Sequence, residues 1–276
     1  MNDIRRTILW VIFGFSMVLL WDQWQIHNGN KPTFFGVPAP KTDTPAAGAQ
    51  SGVPNAAAPA AAAPGGAMPA SSDAPRVRTT IKNDVLSLVV DSEGASLVQA
   101  DLLAYKDHNQ QDRSMRLLDD VKGSEYMAQS GVILGDAQAA APTHRSPMRL
   151  VSKDTELQAG QDKLEVVFES EPVGGMVLAK TYVLTRGQYL IQTSFEVINK
   201  GAASVQPQLY VQLVRTGSKP AGESAFYSTF TGPAVYTGAK KYQKVEFEQI
   251  DKNKAEFEKK SDDGYVAMVQ HYFTSA

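Results

Sequence analysis

The side chains of this 276-residue sequence best suited to moving protons near neutral pH are its four histidines, His27, His108, His144 and His271. They are scattered, with no spacing that would place two on one face of an element. His271 sits in an apolar stretch that predicts a buried strand, where a satisfied core histidine is the plainer reading. Among the carboxylates, Asp119-Asp120 and Asp262-Asp263 are adjacent pairs, the usual composition of solvated turns. Glu246 and Glu248 are two apart and would share one face of a strand, an arrangement that can couple two carboxylates but more often just meets water. Lys240, Lys241 and Lys244 form a small basic cluster followed by mixed charge, too weak for lipid headgroups or nucleic acid. No phosphate-binding glycine loop, nucleophile elbow, zinc-protease helix or calcium loop is present. Cysteine is absent, which excludes disulfides and thiolate metal sites. A net charge of −2 gives no global basic field for nucleic acid. Spacing therefore assigns no catalytic, cofactor-binding or metal-ligating residue and by itself gives no function.

The elements that carry these residues beyond position 75 alternate with period two. Leu86, Leu88 and Val90 share a face in Asp84–Asp91, and Leu164, Val166 and Phe168 do so in Lys163–Glu169. Met176–Leu184 and Tyr189–Ile198 flank Thr185-Arg186-Gly187-Gln188, a hairpin signature, and Asn199-Lys200-Gly201 supplies the next turn. Leu209–Arg215, Val245–Phe247 and Tyr265–Phe273 alternate again, while the charged stretch Asp251–Lys260 admits a helix. The pattern predicts a mostly antiparallel β-sandwich. Tyr265–Phe273 is apolar on both faces and predicts a central strand only a few residues from Ala276.

The other end of the sequence differs in kind. Ile8–Trp21 is a 14-residue run without a charge, roughly 21 Å as a helix, against a hydrocarbon core of about 30 Å. A signal peptide would need small residues after the run, where Trp21-Asp22-Gln23-Trp24 stands. A buried core helix would have to end directly in a structureless linker. An uncleaved span from about Ile4 to Trp24 approaches the needed length, with Arg5 and Arg6 snorkelling to the headgroups and Trp10, Trp21 and Trp24 suited to the interfacial belt. The arginines precede the span, so its N-terminus is expected in the cytoplasm and residues after about 25 outside. Residues 31–75 hold nine of the 15 prolines and predict an extended flexible tether. Phe34-Phe35 fits an aromatic pair dipping into the outer interface and an exposed apolar pair equally well. The expected organisation is residues 1–30 as cytoplasmic start and transmembrane helix, 31–75 as linker and 76–276 as an extracytoplasmic β domain.

Nine collinear pieces go further. The opening Arg5-Arg6-Thr7-Ile8-Leu9-Trp10, the pair Trp21-Asp22-Gln23-Trp24 and Phe34-Phe35, then Val77–Asp91, Tyr126–Gly131, Lys180–Gly187, Phe195–Gly201, Tyr242–Ile250 and Gly264–Phe273 resemble the start of the Gram-negative members of the YidC family of membrane protein insertases (the YidC/Oxa/Alb group). The last piece, GYVAMVQHYF, is the most specific. The resemblance implies an antiparallel β-supersandwich of the galactose-mutarotase-like kind in the periplasm, anchored in a bacterial inner membrane by one N-terminal transmembrane helix. It implies a role in inserting and folding membrane proteins, alone or with the Sec translocon, work that is expected to be non-enzymatic and to need no cofactor. The partners implied are the lipid bilayer, nascent membrane proteins, and the Sec translocon with its accessory subunits; nucleic acid is not among them. The family's insertion groove is built by later membrane helices, and no second apolar span occurs in these 276 residues. The resemblance thus covers the N-terminal part of the family only, and the expected object is an N-terminal fragment with an incomplete β domain.

Two other functions fit the same elements. A membrane-tethered carbohydrate-binding or mutarotase-like protein would bring His108, His144 or His271 against a carboxylate in one cleft. A tethered periplasmic adaptor or chaperone would need no chemistry at all.

Overall fold

The computed structural model describes residues 10, 13, 15, 21, 75–107, 110–135, 139–218, 229–270 and 272–276. The chain divides into two units, 1–50 and 51–276. In the first, Trp10, Phe13, Phe15 and Trp21 have helical backbone and exposed side chains, and the Trp10 and Phe13 rings meet edge to face at 6.1 Å. Arg5, Arg6, Trp24 and Phe34-Phe35 lie outside the described residues, as does the tether up to residue 74. Among the described residues no helix is long and apolar enough to cross a membrane.

The second unit is built from antiparallel strands. Strands β1 (Arg78–Lys82), β2 (Leu86–Asp91), β3 (Ser96–Lys106), β5 (Tyr126–Ile133) and β10 (Gln208–Arg215) form one sheet in that order, with β4 (Ser114–Leu118) also on β3. Strands β6 (Met148–Leu150), β7 (Lys163–Ser170), β8 (Met176–Thr185) and β9 (Ile191–Asn199) form a second sheet. A third has the order β12 (Lys241–Lys244), β11 (Thr231–Thr237), β13 (Tyr265–Gln270), β14 (Phe273–Ser275).

The period-two pattern does the sorting. Leu86, Leu88 and Val90 point inward from the first sheet, and Leu164, Val166, Phe168, Leu178 and Leu184 from the second; all are buried in one continuous core. Each such side chain is worth about 1.5–3 kcal/mol of apolar burial. The β8–β9 hairpin lies where the sequence places it, with Leu184 opposite Ile191, although Tyr189 and Leu190 belong to the turn. The third sheet is tied to the first by Arg215, whose Nη1 donates to Gln270 Oε1 at 2.7 Å and whose guanidinium lies over the Tyr126 ring.

Three expectations need correction. Val245–Phe247 is not a strand: Glu246 caps a five-residue helix, α1 (Phe247–Asp251), so Glu246 and Glu248 share no strand face. Three alternating residues cannot distinguish a strand from the entry to a helical turn. The helix admitted for Asp251–Lys260 ends where that stretch begins, because Phe257 is its only large apolar residue and no apolar face is formed. The last apolar stretch is two strands, since the chain reverses at Tyr272 and Phe273 starts β14. Strand β13 is central in its sheet, yet Tyr265 and Val266 remain exposed. Tyr265 stacks on Tyr236 of β11 at 5.1 Å, which covers one ring face without burying the residue.

Candidate functional site

Strands β9 and β10 are consecutive in the chain but end up on different sheets, each at an edge. The sandwich therefore stays open between them, and a cleft of about 900 Å³ enters there. Leu86, Leu102, Leu117 and Leu213 line it from the first sheet, Tyr182, Ile191 and Phe195 from the second, and Val266 and Phe273 from the third. Among the described residues its lining contains no Asp, Glu, Lys, Arg or His side chain. At the mouth, Tyr105 packs on Tyr189 at 5.9 Å and on Phe273 at 5.8 Å. Leu190 and Val211 beside it are 69% and 62% exposed, an apolar rim on the surface. Such a cleft has the chemistry to hold uncharged apolar groups.

Behind the cleft lies a buried polar seam that spacing did not reveal. Lys180 on β8 is fully buried, between Phe168 of β7 and Phe195 of β9 in the strand register. Its Nζ donates to Gly94 O at 2.5 Å and approaches Ala95 O at 3.4 Å and Ser130 O at 3.5 Å. Tyr182 Oη donates to Ala95 O at 2.6 Å. Burial holds the Lys180 ammonium down to about 7 and raises the Tyr182 phenol. In the loop before β6, the His144 backbone N–H donates to Tyr210 Oη at 3.0 Å, and Nδ1 lies 2.7 Å from the same oxygen. A neutral imidazole protonated on Nε2 satisfies both, with the phenol donating to Nδ1. Burial pushes His144 down to about 4, with Arg145 and Lys180 adding repulsion, and burial pushes Tyr210 up to about 12.

This seam is not a proton-transfer site of the mutarotase kind: the partner of His144 is a phenol rather than a carboxylate. His27, His108 and His271 lie outside the described residues. The other candidates disperse. Asp119 and Asp120 are drawn into separate ion pairs, Asp119 with Arg116 at 3.7 Å and Asp120 with Arg78. Asp263 accepts from Ser261 Oγ at 2.7 Å and from the Gly238 N–H at 3.0 Å, which holds its carboxyl below the usual range. Glu248 pairs with Lys252 one helical turn on. Lys244 lies over the Phe230 ring at 5.1 Å, while Lys240 and Lys241 turn the β11–β12 hairpin, so the lysines share no face with a ligand. No group of three His, Asp or Glu that could hold a metal occurs among the described residues.

One signal could have exposed the seam in advance. Lys180 has the same strand parity as Leu178, Tyr182 and Leu184, and so belongs to the inward face. Nothing local marks His144 or Tyr210, which meet across 66 residues.

Comparison with known proteins matches residues 78–276 to the YidC periplasmic domain family. Proteins named "Membrane protein insertase YidC" from Bordetella pertussis, Ralstonia nicotianae and Janthinobacterium sp. are 46%, 43% and 40% identical to this chain, in each case over 99% of its length. Those alignments cover 50%, 49% and 49% of the relatives, so the chain spans about half the length of the relatives it matches.

Proposed function

This chain belongs to the YidC family of membrane protein insertases, and from that premise we propose that it supplies the membrane anchor and periplasmic domain of an insertase that inserts and folds inner-membrane proteins. The observation that carries the reading is the 46% identity to a named insertase along 99% of the chain. Insertion itself is assigned to the half of the relatives that this chain does not cover. Its anchor is the span from about residue 4 to 24, with Arg5 and Arg6 on the cytoplasmic side and Trp10, Trp21 and Trp24 as interfacial residues. Residues 31–75 are the tether, and the antiparallel sandwich that follows is the supersandwich of the family, on the periplasmic side. The partners are the lipid bilayer, nascent membrane proteins and the Sec translocon with its accessory subunits.

Two experiments test this. Because the chain has no cysteine, single cysteines report topology cleanly. Asn2→Cys should resist a membrane-impermeant maleimide in spheroplasts while Ser71→Cys and Asp162→Cys react; the reverse pattern overturns the orientation. For function, these 276 residues should replace the matching half of the Bordetella pertussis protein and support growth when the host's own insertase is depleted. A chimera that accumulates in the membrane and still fails to insert substrates would overturn the assignment.

A further inference from the structure

The two sheets of the sandwich are bridged at one point by a charge-bearing group that has no counter-charge among the described residues. Lys180 reaches from β8 in the second sheet to the Gly94–Ala95 turn and to Ser130 of β5 in the first. We propose that Lys180 is a pH-responsive latch between the sheets: charging its amine weakens the closed sandwich, and losing the proton secures it.

The geometry supplies the reason. An ammonium has three N–H donors, and only the Gly94 carbonyl, at 2.5 Å, is a close acceptor; the other two carbonyls stand at 3.4 and 3.5 Å. The Ala95 carbonyl accepts a closer bond from the Tyr182 hydroxyl at 2.6 Å. The remaining surroundings are the Phe168 and Phe195 positions; the Phe195 ring, 5.8 Å from Nζ, gives the ammonium a cation–π contact near the outer limit of that interaction, which is no substitute for a carboxylate. A buried charge needs both hydrogen bonds and an opposite charge to offset its lost hydration. A neutral amine needs only a donor contact, which the Gly94 carbonyl provides.

Burial alone accounts for the charged form's disadvantage, and the ionisable groups described around Lys180 are engaged elsewhere. On its own strand stands Tyr182. From the loop before β6 comes His144, which is neutral above about 4 and supplies no counter-charge, and from β10 comes Tyr210, engaged by His144. At the β2–β3 turn, Glu93 is paired with Arg76 at 2.5 Å, and Asp91 accepts the Glu93 N–H and faces Arg78 at 3.8 Å. Glu169 on β7 is paired with Arg149 on the outer surface. Strands β5 and β9 offer only neutral Ser130 and Phe195 at this point. Among the described residues no carboxylate pairs with Lys180.

The direction of the pH effect follows. In the unfolded chain the lysine stays charged up to its ordinary 10.5, whereas in the folded chain it releases its proton near 7. Over that interval the unfolded state binds more protons, so folding is favoured progressively as pH rises from about 7 towards 10.5. Below about 7 the full disadvantage of the buried charge is present.

The test follows the lysine and the latch separately. In the full chain in mild detergent, the Lys180 side chain, labelled with carbon-13 at Cε, should titrate near 7 to 8. The folding equilibrium of the native chain, relative to that of Lys180→Met at the same pH, should improve by at least about tenfold between pH 7 and pH 9. Amide hydrogen exchange of β8 and of the Gly94 turn, referenced to Lys180→Met in the same way, should slow by a matching factor. Lys180→Arg, which keeps its charge throughout, should show no such improvement. An ordinary Cε titration above pH 9.5 overturns the proposal even if both variants misfold. So does a native-to-methionine ratio that stays constant across the range.

Discussion

Replacing Tyr210 with Phe removes one oxygen and leaves the ring in place. That oxygen accepts the buried His144 N–H at 3.0 Å and contacts Nδ1 at 2.7 Å. Tyr210 and His144 are 8% and 6% exposed, so water cannot replace it. Each polar group stranded in this way costs about 1–3 kcal/mol, and the phenol's own lost hydration is recovered, so the net loss is about 2–4 kcal/mol. Against a total stability of about 5–15 kcal/mol, the shift is large. Urea unfolding followed by far-ultraviolet circular dichroism should show the midpoint falling while the slope stays constant. Gly131 allows a second approach to the same oxygen. A Cβ there would lie 2.7 Å from Tyr210 Oη and 2.9 Å from His144 N, so Gly131→Ala displaces the phenol from the other side. Since both changes break one contact, the double variant should lose less than the sum, with a coupling of about 1 kcal/mol or more. A Tyr210→Phe loss under about 0.5 kcal/mol, or strict additivity with Gly131→Ala, would refute the seam as a stabilising contact.

Three further outcomes are expected. His144 titrates at about 4 when folded and 6.5 otherwise, so the unfolded state binds more protons between these values. The urea midpoint should therefore hold its full His144 contribution above pH 6.5 and lose it as pH falls towards 4, and a His144→Asn variant should have a shallower acid slope. Gly264 has φ +124°, and a Cβ there would collide with the Tyr236 carbonyl, so Gly264→Ala should cost about 2–5 kcal/mol in the same urea assay. Val211→Glu places a carboxylate on the rim of the cleft at a 62% exposed position. It should weaken binding of an uncharged apolar dye such as Nile red about tenfold, equivalent to about 1.4 kcal/mol, while leaving the thermal midpoint within a few degrees.

What could be read from the sequence was whatever period two controls. Leu164, Val166 and Phe168 are buried because alternate residues of a strand share a face, and the hairpin around Gly187 closes because a turn residue stands between two such runs. Lys180 obeys the same parity, but its charge masks it: a lysine in a strand reads as an outward residue until the register is known. The Glu246–Glu248 face was lost because three residues are too few for a period to be measured. The cleft is of another kind. Leu86, Phe195 and Phe273 line it from three sheets, and no local pattern encodes which edges of a folded sandwich stay apart. His144 meets Tyr210 only because β10 returns to β5 after the whole second sheet has been laid down.

That return also sets a timetable. The hairpins β1–β2–β3 and β7–β8–β9 pair neighbours in the chain and can form as soon as their residues exist. Tyr210 reaches His144 across 66 residues and Lys180 reaches Gly94 across 86, so both contacts wait for long loop closures. Contacts made that late are largely missing at the folding barrier, and changes to them fall on the rate of opening rather than the rate of formation. The seam is thus a kinetic clasp: variants at Tyr210 should fold about as fast as the native chain and come apart sooner.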